Sequence, residues 1–255
     1  MSEEPVLTSE DGGVLTITLN RPQARNAVNQ AVAEGVAAAL DRLDADDDLR
    51  IAIVTGAGGT FCAGMDLKAF VTGERPWAGD RGFAGITQRS AAKPLIAAVE
   101  GFALAGGFEV ALACDLIVAA RDARFGIPEV KRGLIAAGGG LIRLPRRIPY
   151  HLAMELALTG DPVGAERAAE MGIVNRLTEP GEALAGAQEL AATIVRNAPL
   201  ALAASKTIVQ RTGEWSEEEA WHKAGEIGAA VFGSEDAQEG AKAFAEKREP
   251  RWQGH

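Results

Sequence analysis

The chain has 255 residues, a formal net charge of -9 and 47% hydrophobic residues. That is enough for one large domain or two modest ones around a real core, and it is not a disordered profile. The negative balance argues against non-specific nucleic-acid binding, because phosphates would be repelled, but it leaves room for a local basic pocket.

Met1-Ser-Glu-Glu-Pro5 is acidic and lacks the basic and apolar regions of a signal peptide. Val14–Leu19 alternates and is rich in β-branched residues, which predicts a strand; a loop punctuated by Pro22 follows. Val32, Val36, Leu40 and Leu43 recur at helical spacing behind Asn29, a plausible N-cap. Asp46-Asp-Asp48 ends that helix and does not match a calcium-binding loop. Ile51–Thr55 predicts a second strand, and the glycine-rich turn Gly56–Asp66 leads to a short helix through Phe70, capped by Asp66. The turn is no dinucleotide or Walker motif: Phe61 and Met65 stand where those would need Gly and Lys. Residues 73–89 read as a mobile loop followed by a helix.

Pro94–Val99 is an apolar strand that runs into Gly106-Gly107 and Glu109, with an apolar helical run through Cys114 beyond. The span 101–120 is long enough to cross a membrane. Glu109 and Asp115 within it would each cost about 2.5–3.5 kcal/mol at a bilayer centre, taking Glu as similar to Asp, so a buried globular segment fits better. Asp115–Ala120 predicts a third strand and Arg124–Gly126 a short one, before Ile127-Pro-Glu129 and a further glycine turn over Gly133–Gly140. Helices are expected at Ile148–Leu158 and Ala165–Met171, and a strand at Ile173–Leu177. From Gly181 onward four helices are expected, the last opening on Ser234.

His151, His222 and His255 have no metal-ligand spacing to another His or Cys, and no Gly-x-Ser-x-Gly elbow occurs. Cys62 and Cys114 lie far apart in apolar contexts, which fits reduced, buried thiols and a cytoplasmic location better than a disulfide or a nucleophile. Carboxylates remain. Glycines at a strand-to-helix turn allow close approach to the backbone, and a helix N-terminus offers free N–H groups to an oxyanion. Glu109 lies one turn into that helix. A strand returning beside its predecessor would bring Glu129 to the same edge, where the two acids could not both ionise easily and one pKa should rise. Such a pair holds a base and an acid at neutral pH, able to add water to, or remove it from, an activated double bond.

Phe61-Cys-Ala-Gly-Met-Asp-Leu67, Pro94-Leu-Ile-Ala-Ala-Val-Glu-Gly101, Ala105-Gly-Gly-Phe-Glu109, Cys114-Asp115, Phe125-Gly-Ile-Pro-Glu129, Gly138-Gly-Gly140, Leu158-Thr-Gly160 and Gly172-Ile-Val174 together resemble the enoyl-CoA hydratase/isomerase (crotonase) family. The resemblance extends from Val14 to the end of the chain. It implies an α/β fold: a spiral of ββα units over residues 1–180 that carries the active site, with a helical trimerisation region over 181–255 that contributes to the coenzyme A pocket.

It further implies an acyl-CoA substrate, a homotrimer or dimer of trimers, and no separate cofactor, since coenzyme A is part of the substrate. The implied catalytic residues are Glu109 and Glu129, with the backbone N–H groups of Ala63 and Gly106 as oxyanion hole. Ala24, Arg25, Ala63, Gly64, Met65, Asp66 and Leu67, with Phe244 and Lys247 of a neighbouring subunit, are the implied CoA contacts. The implied activity is hydration of a 2-enoyl-CoA in acyl-CoA degradation. An enoyl-CoA isomerase or a carnitinyl-CoA dehydratase is the alternative within the fold, and an acyl-CoA-binding protein without turnover is the alternative outside it. The chain departs from the usual pattern at Glu100, Ala105, Phe108 and Ala136-Ala137.

Overall fold

The computed structural model describes residues 4–254, so Met1–Glu3 of the N-terminal reading, and His255, lie outside the described residues. β1 (Val6–Asp11) pairs antiparallel with β2 (Val14–Leu19) across a Gly12-Gly13 turn, both glycines at positive φ. α1 (Gln30–Ala45) follows, and the Asn29 side chain accepts from Val32 N–H at 3.1 Å, as its capping role requires. β3 (Ile51–Gly56) leads through the glycine turn to α2 (Leu67–Val71), with the Asp66 side chain accepting from Lys68 and Ala69 N–H.

The segment 73–89, read as a mobile loop followed by a helix, opens on a short loop and contains no α-helix. It forms the hairpin β4 (Trp77–Ala78) and β5 (Gly82–Phe83) around a 3-10 turn. Gly79, Gly82 and Gly85 adopt positive φ, which a helix would not allow. Arg81, only 1% exposed, ties the hairpin to Asp41 and Asp44 on α1.

β6 (Leu95–Val99), β7 (Phe102–Leu104) and α3 (Gly106–Ala113) come next, followed by β8 (Leu116–Ala120) and β9 (Arg124–Gly126). α4 (Gly140–Arg147), which sequence reasoning left unassigned, opens on the glycine run and contains Pro145. α5 (Tyr150–Thr159), β10 (Val163–Gly164), α6 (Ala165–Glu170) and β11 (Arg176–Thr178) complete this part, β11 falling later than the expected 173–177. α7 (Ala183–Val195), α8 (Pro199–Arg211), α9 (Glu217–Phe232) and α10 (Glu235–Glu246) are the expected terminal helices.

One sheet has the order β1-β2-β3-β6-β8-β11, parallel from β2 onward. Both of its faces are covered, which explains the unbroken apolar runs of β3 and β6. Alternate residues divide between them. Ala52, Val54, Ala97 and Val99 join the core that includes Val32, Val36 and Leu40 of α1, while Ile51, Ile53, Ile96 and Ala98 meet Ala183, Ala187 and Ala191 of α7. A shorter sheet, β10-β9-β7, stands beside it. β6 passes to β7 and then α3; β8 passes to β9 and then a 3-10 turn; β3 passes to Cys62, which bridges Ala103 of β7, and then α2. This repeated path is the ββα spiral. It stacks the turn after each short strand at one edge.

Candidate active site

Two such turns touch. Gly64 sits so close to the β7–α3 turn that a Cβ there would come 2.8 Å from Ala105 Cβ and 3.1 Å from Gly106 N. Ala105 itself holds φ 51 and ψ -129, a conformation that favours glycine, and anchors the turn by donating its N–H to Gly126 O at 2.8 Å. Gly106 opens α3, and its N–H has no acceptor among the described residues. The aromatic ring of Phe83 lies against Gly106, where a Cβ would come within 2.5 Å of it.

The expected partner donor needs correction. Ala63 N–H already donates to Arg25 O at 3.0 Å, within the pairing that also joins Val28 N–H to Gly64 O. Met65 N–H, which follows Gly64 directly, has no acceptor among the described residues. The structure therefore leaves Met65 and Gly106 as the adjacent free N–H groups, and the Ala63 N–H is committed. Cys62 Sγ accepts from Gly64 N–H at 3.4 Å, and burial pushes its thiol up to about 12, so it shapes the turn as a neutral group.

Glu109 stands one turn into α3 and is 3% exposed. Its Oε1 accepts from Gly140 N–H at 2.8 Å. Gly138 closes over Oε2, where a Cβ would come within 2.6 Å. Burial, with help from the charge of Glu129, raises the Glu109 pKa to about 7 against the opposing pull of the Gly140 and Gly138 N–H groups and of Arg143.

Glu129 follows Pro128 in the 3-10 turn Pro128–Arg132. The parallel pairing of β7 with β9, Leu104 opposite Gly126, carries it to the α3 turn. Burial raises its pKa also, and its Oε2 is buried with no hydrogen-bond partner among the described residues. An unpaired buried carboxyl oxygen is costly, and a bound water or substrate would satisfy it.

The other expected contacts divide. Ala24 and Arg25 end a 3-10 turn, Arg25 exposed in the left-handed region. Gly64 and Met65 lie in the turn before α2, and Leu67 opens that helix. Asp66 is occupied: besides capping α2 it takes a 2.9 Å ion pair from Arg21, which holds its carboxyl below the usual range against the opposing effect of burial. Phe244, 88% exposed, and Lys247 sit at the end of α10, which packs on α9. Phe108, one of the departures from the family pattern and next to Glu109 in the chain, is fully buried against Phe125 and faces the core.

Sequence reasoning missed the grip of Gly138–Gly140 on Glu109, although three consecutive glycines before a helix were a visible signal. It also missed Asn26, whose side chain donates to Ala57 O and Thr60 O and pins the glycine turn after β3. Among the described residues no cluster of three His, Cys, Asp or Glu gathers as a metal site, and no helix is long and apolar enough to cross a membrane.

The model of a family described as enoyl-CoA hydratase/isomerase matches residues 9–255. The chain is 46% identical to the carnitinyl-CoA dehydratase of Escherichia coli (strain K12) over 262 residues, covering 100% of both. The enoyl-CoA hydratase structure from Mycobacterium tuberculosis H37Rv is similar with 58% identity and a TM-score of 0.97, over 99% of this chain and 100% of that one. The carnitinyl-CoA dehydratase structure from Mycobacterium avium 104 shares 45% identity and a TM-score of 0.81, over 99% of this chain and 100% of that one.

Proposed function

The chain belongs to the enoyl-CoA hydratase/isomerase family, and from that premise we propose that this hydro-lyase adds water reversibly across the 2,3 double bond of a 2-enoyl-CoA thioester. The observation that carries the reading is the pair of carboxyls, Glu109 buried and Glu129 half-buried with its Oε2 shielded from water, both with raised pKa values, beside two adjacent unpaired N–H groups. The thioester oxygen sits between Met65 and Gly106 N–H. The carboxyls hold a water. One takes a proton from it as the oxygen bonds to C3, the π electrons pass onto the thioester oxygen, and a proton is then delivered to C2. Donors placed where the enolate charge develops act most strongly in the transition state, and each is worth about 3–4 kcal/mol in comparable sites.

Coenzyme A runs along Ala24, Arg25 and the Gly64–Leu67 backbone, with Phe244 and Lys247 of a neighbouring subunit closing over it in a homotrimer or dimer of trimers. No separate cofactor takes part. A degradative, cytoplasmic role in acyl-CoA metabolism fits this chemistry. The 46% identity to a carnitinyl-CoA dehydratase favours one second reading, the same hydration chemistry on a carnitinyl-type acyl group. An isomerase needs a single base to shuttle its proton, so the second carboxyl, Glu129, favours hydration.

The test is turnover of crotonyl-CoA, a longer 2-enoyl-CoA, a 3-enoyl-CoA and crotonobetainyl-CoA in parallel. Loss of the conjugated-enone absorbance with either 2-enoyl substrate supports the reading. Turnover of the 3-enoyl substrate alone would make the protein an isomerase, and of the betaine alone a carnitinyl-type dehydratase.

A further inference from the structure

Arg143 is a half-buried cation that forms no ion pair among the described residues. A buried charge without a counter-ion is costly unless it is well hydrogen-bonded. Its guanidinium instead reaches two backbone carbonyls in different parts of the chain. Nη1 donates to Gly138 O at 3.3 Å, and Nη2 donates to Thr87 O at 2.5 Å. Its Nη1 end meets the glycine turn, since a Cβ on Gly139 would come 2.1 Å from Nη1.

Each carbonyl belongs to a different wall of the site. Gly138 is the residue against Glu109 Oε2, two before the Gly140 N–H that binds Oε1. Thr87 follows β5, and its N–H returns to Phe83 O at 3.3 Å. Phe83 in turn seats its ring on Gly106. One rigid fork therefore spans the turn that grips the carboxyl and the hairpin that covers the oxyanion donor. A lysine, with one compact ammonium, could not make the same span.

We propose that Arg143 is a positioning residue: by bridging Gly138 O and Thr87 O it fixes the Gly140 N–H on Glu109 and keeps Phe83 seated against Gly106. The proposal rests on the reading of Glu109 as a working carboxyl. The charged and titratable groups around this bridge are Glu109 with Glu129 beyond it, Arg146 and Arg147 on α4, and the buried thiol of Cys114. Loss of the guanidinium removes a favourable charge and loosens a favourable N–H donor, so both effects move the Glu109 carboxyl in the same direction, upward.

The experiment compares the full chain with Arg143→Gln and Arg143→Lys. The Glu109 carboxyl is titrated by isotope-edited infrared or carbon NMR, with Glu109→Gln identifying the signal, and hydration kinetics are measured alongside. Arg143→Gln is expected to raise the midpoint by at least about half a unit and to lower kcat at least about tenfold while KM stays within about threefold. Arg143→Lys, which keeps a charge but reaches one carbonyl, is expected to lower kcat with a smaller midpoint change. A folded Arg143→Gln with unchanged midpoint and kcat, even at reduced Tm, overturns the proposal. If that variant does not fold, Arg143→Lys decides, and wild-type kcat there overturns it. If the unsubstituted protein hydrates no enoyl-CoA, the functional reading fails, and the titration alone then decides the role of Arg143.

Discussion

At the residue scale, burial raises the Glu109 carboxyl from 4.5 to about 7. The folded chain then binds this proton more tightly than the unfolded chain between those values. Stability therefore falls as pH rises through that window, by about 3 kcal/mol at most from this group. Glu109→Gln cannot ionise yet can still accept from Gly140. It should gain most of that amount at pH 8 and almost none at pH 4, while losing activity; equal Tm differences at both pH values would refute the burial account. Ala105 makes the opposite case, a strained residue where glycine would fit, with φ 51. Ala105→Gly should stabilise by about 1 kcal/mol, the relief of strain less the added entropy of the unfolded chain. Denaturant melts will show it as a higher midpoint with an unchanged slope. Gly138→Ala should lower kcat sharply, because its Cβ would press within 2.6 Å of Glu109 Oε2.

At the scale of elements, patterning carried most of the fold. α1 and its Asn29 cap, α2 and its Asp66 cap, β2, β3, β6 and the four terminal helices stand where apolar period and capping chemistry put them. What escaped has physical reasons. β1 is almost wholly exposed and pairs only with β2, so it has no apolar face to announce it. β7 spans three residues, held by Cys62 and β9 rather than by its own sequence. Pro145 disguised α4, and the 73–89 hairpin depends on Arg81 reaching back to α1, a contact no local pattern carries. The two acids were legible because each follows a short strand, but the committed Ala63 N–H was not, since its acceptor Arg25 lies far back in the chain. Arg81→Met should cost about 2–3 kcal/mol, below the range for a fully buried pair because Asp41 is largely exposed. It should also lower kcat, as the hairpin holds Phe83 against Gly106; a variant with a lower Tm but unchanged kcat would show that the hairpin does not support the site.

At the scale of the molecule, α9 presents Trp221 at 77% and Phe232 at 85% exposure, and α10 presents Phe244. Large apolar side chains of this kind fit the proposed assembly, in which burial between subunits removes them from water. Light scattering should give a mass three or six times that of the chain, and Phe232→Glu should shift it downward. The sheet and spiral place the acids, and the glycine turns set their environment, but the central claim is that both carboxyls act together. The direct measurement is crotonyl-CoA hydration by the unsubstituted chain and by Glu129→Gln, followed through the loss of enone absorbance. Glu129→Gln should lower kcat by about 10²–10⁴-fold with the fold retained; a Glu129→Gln enzyme at full rate would contradict the joint action of the two carboxyls.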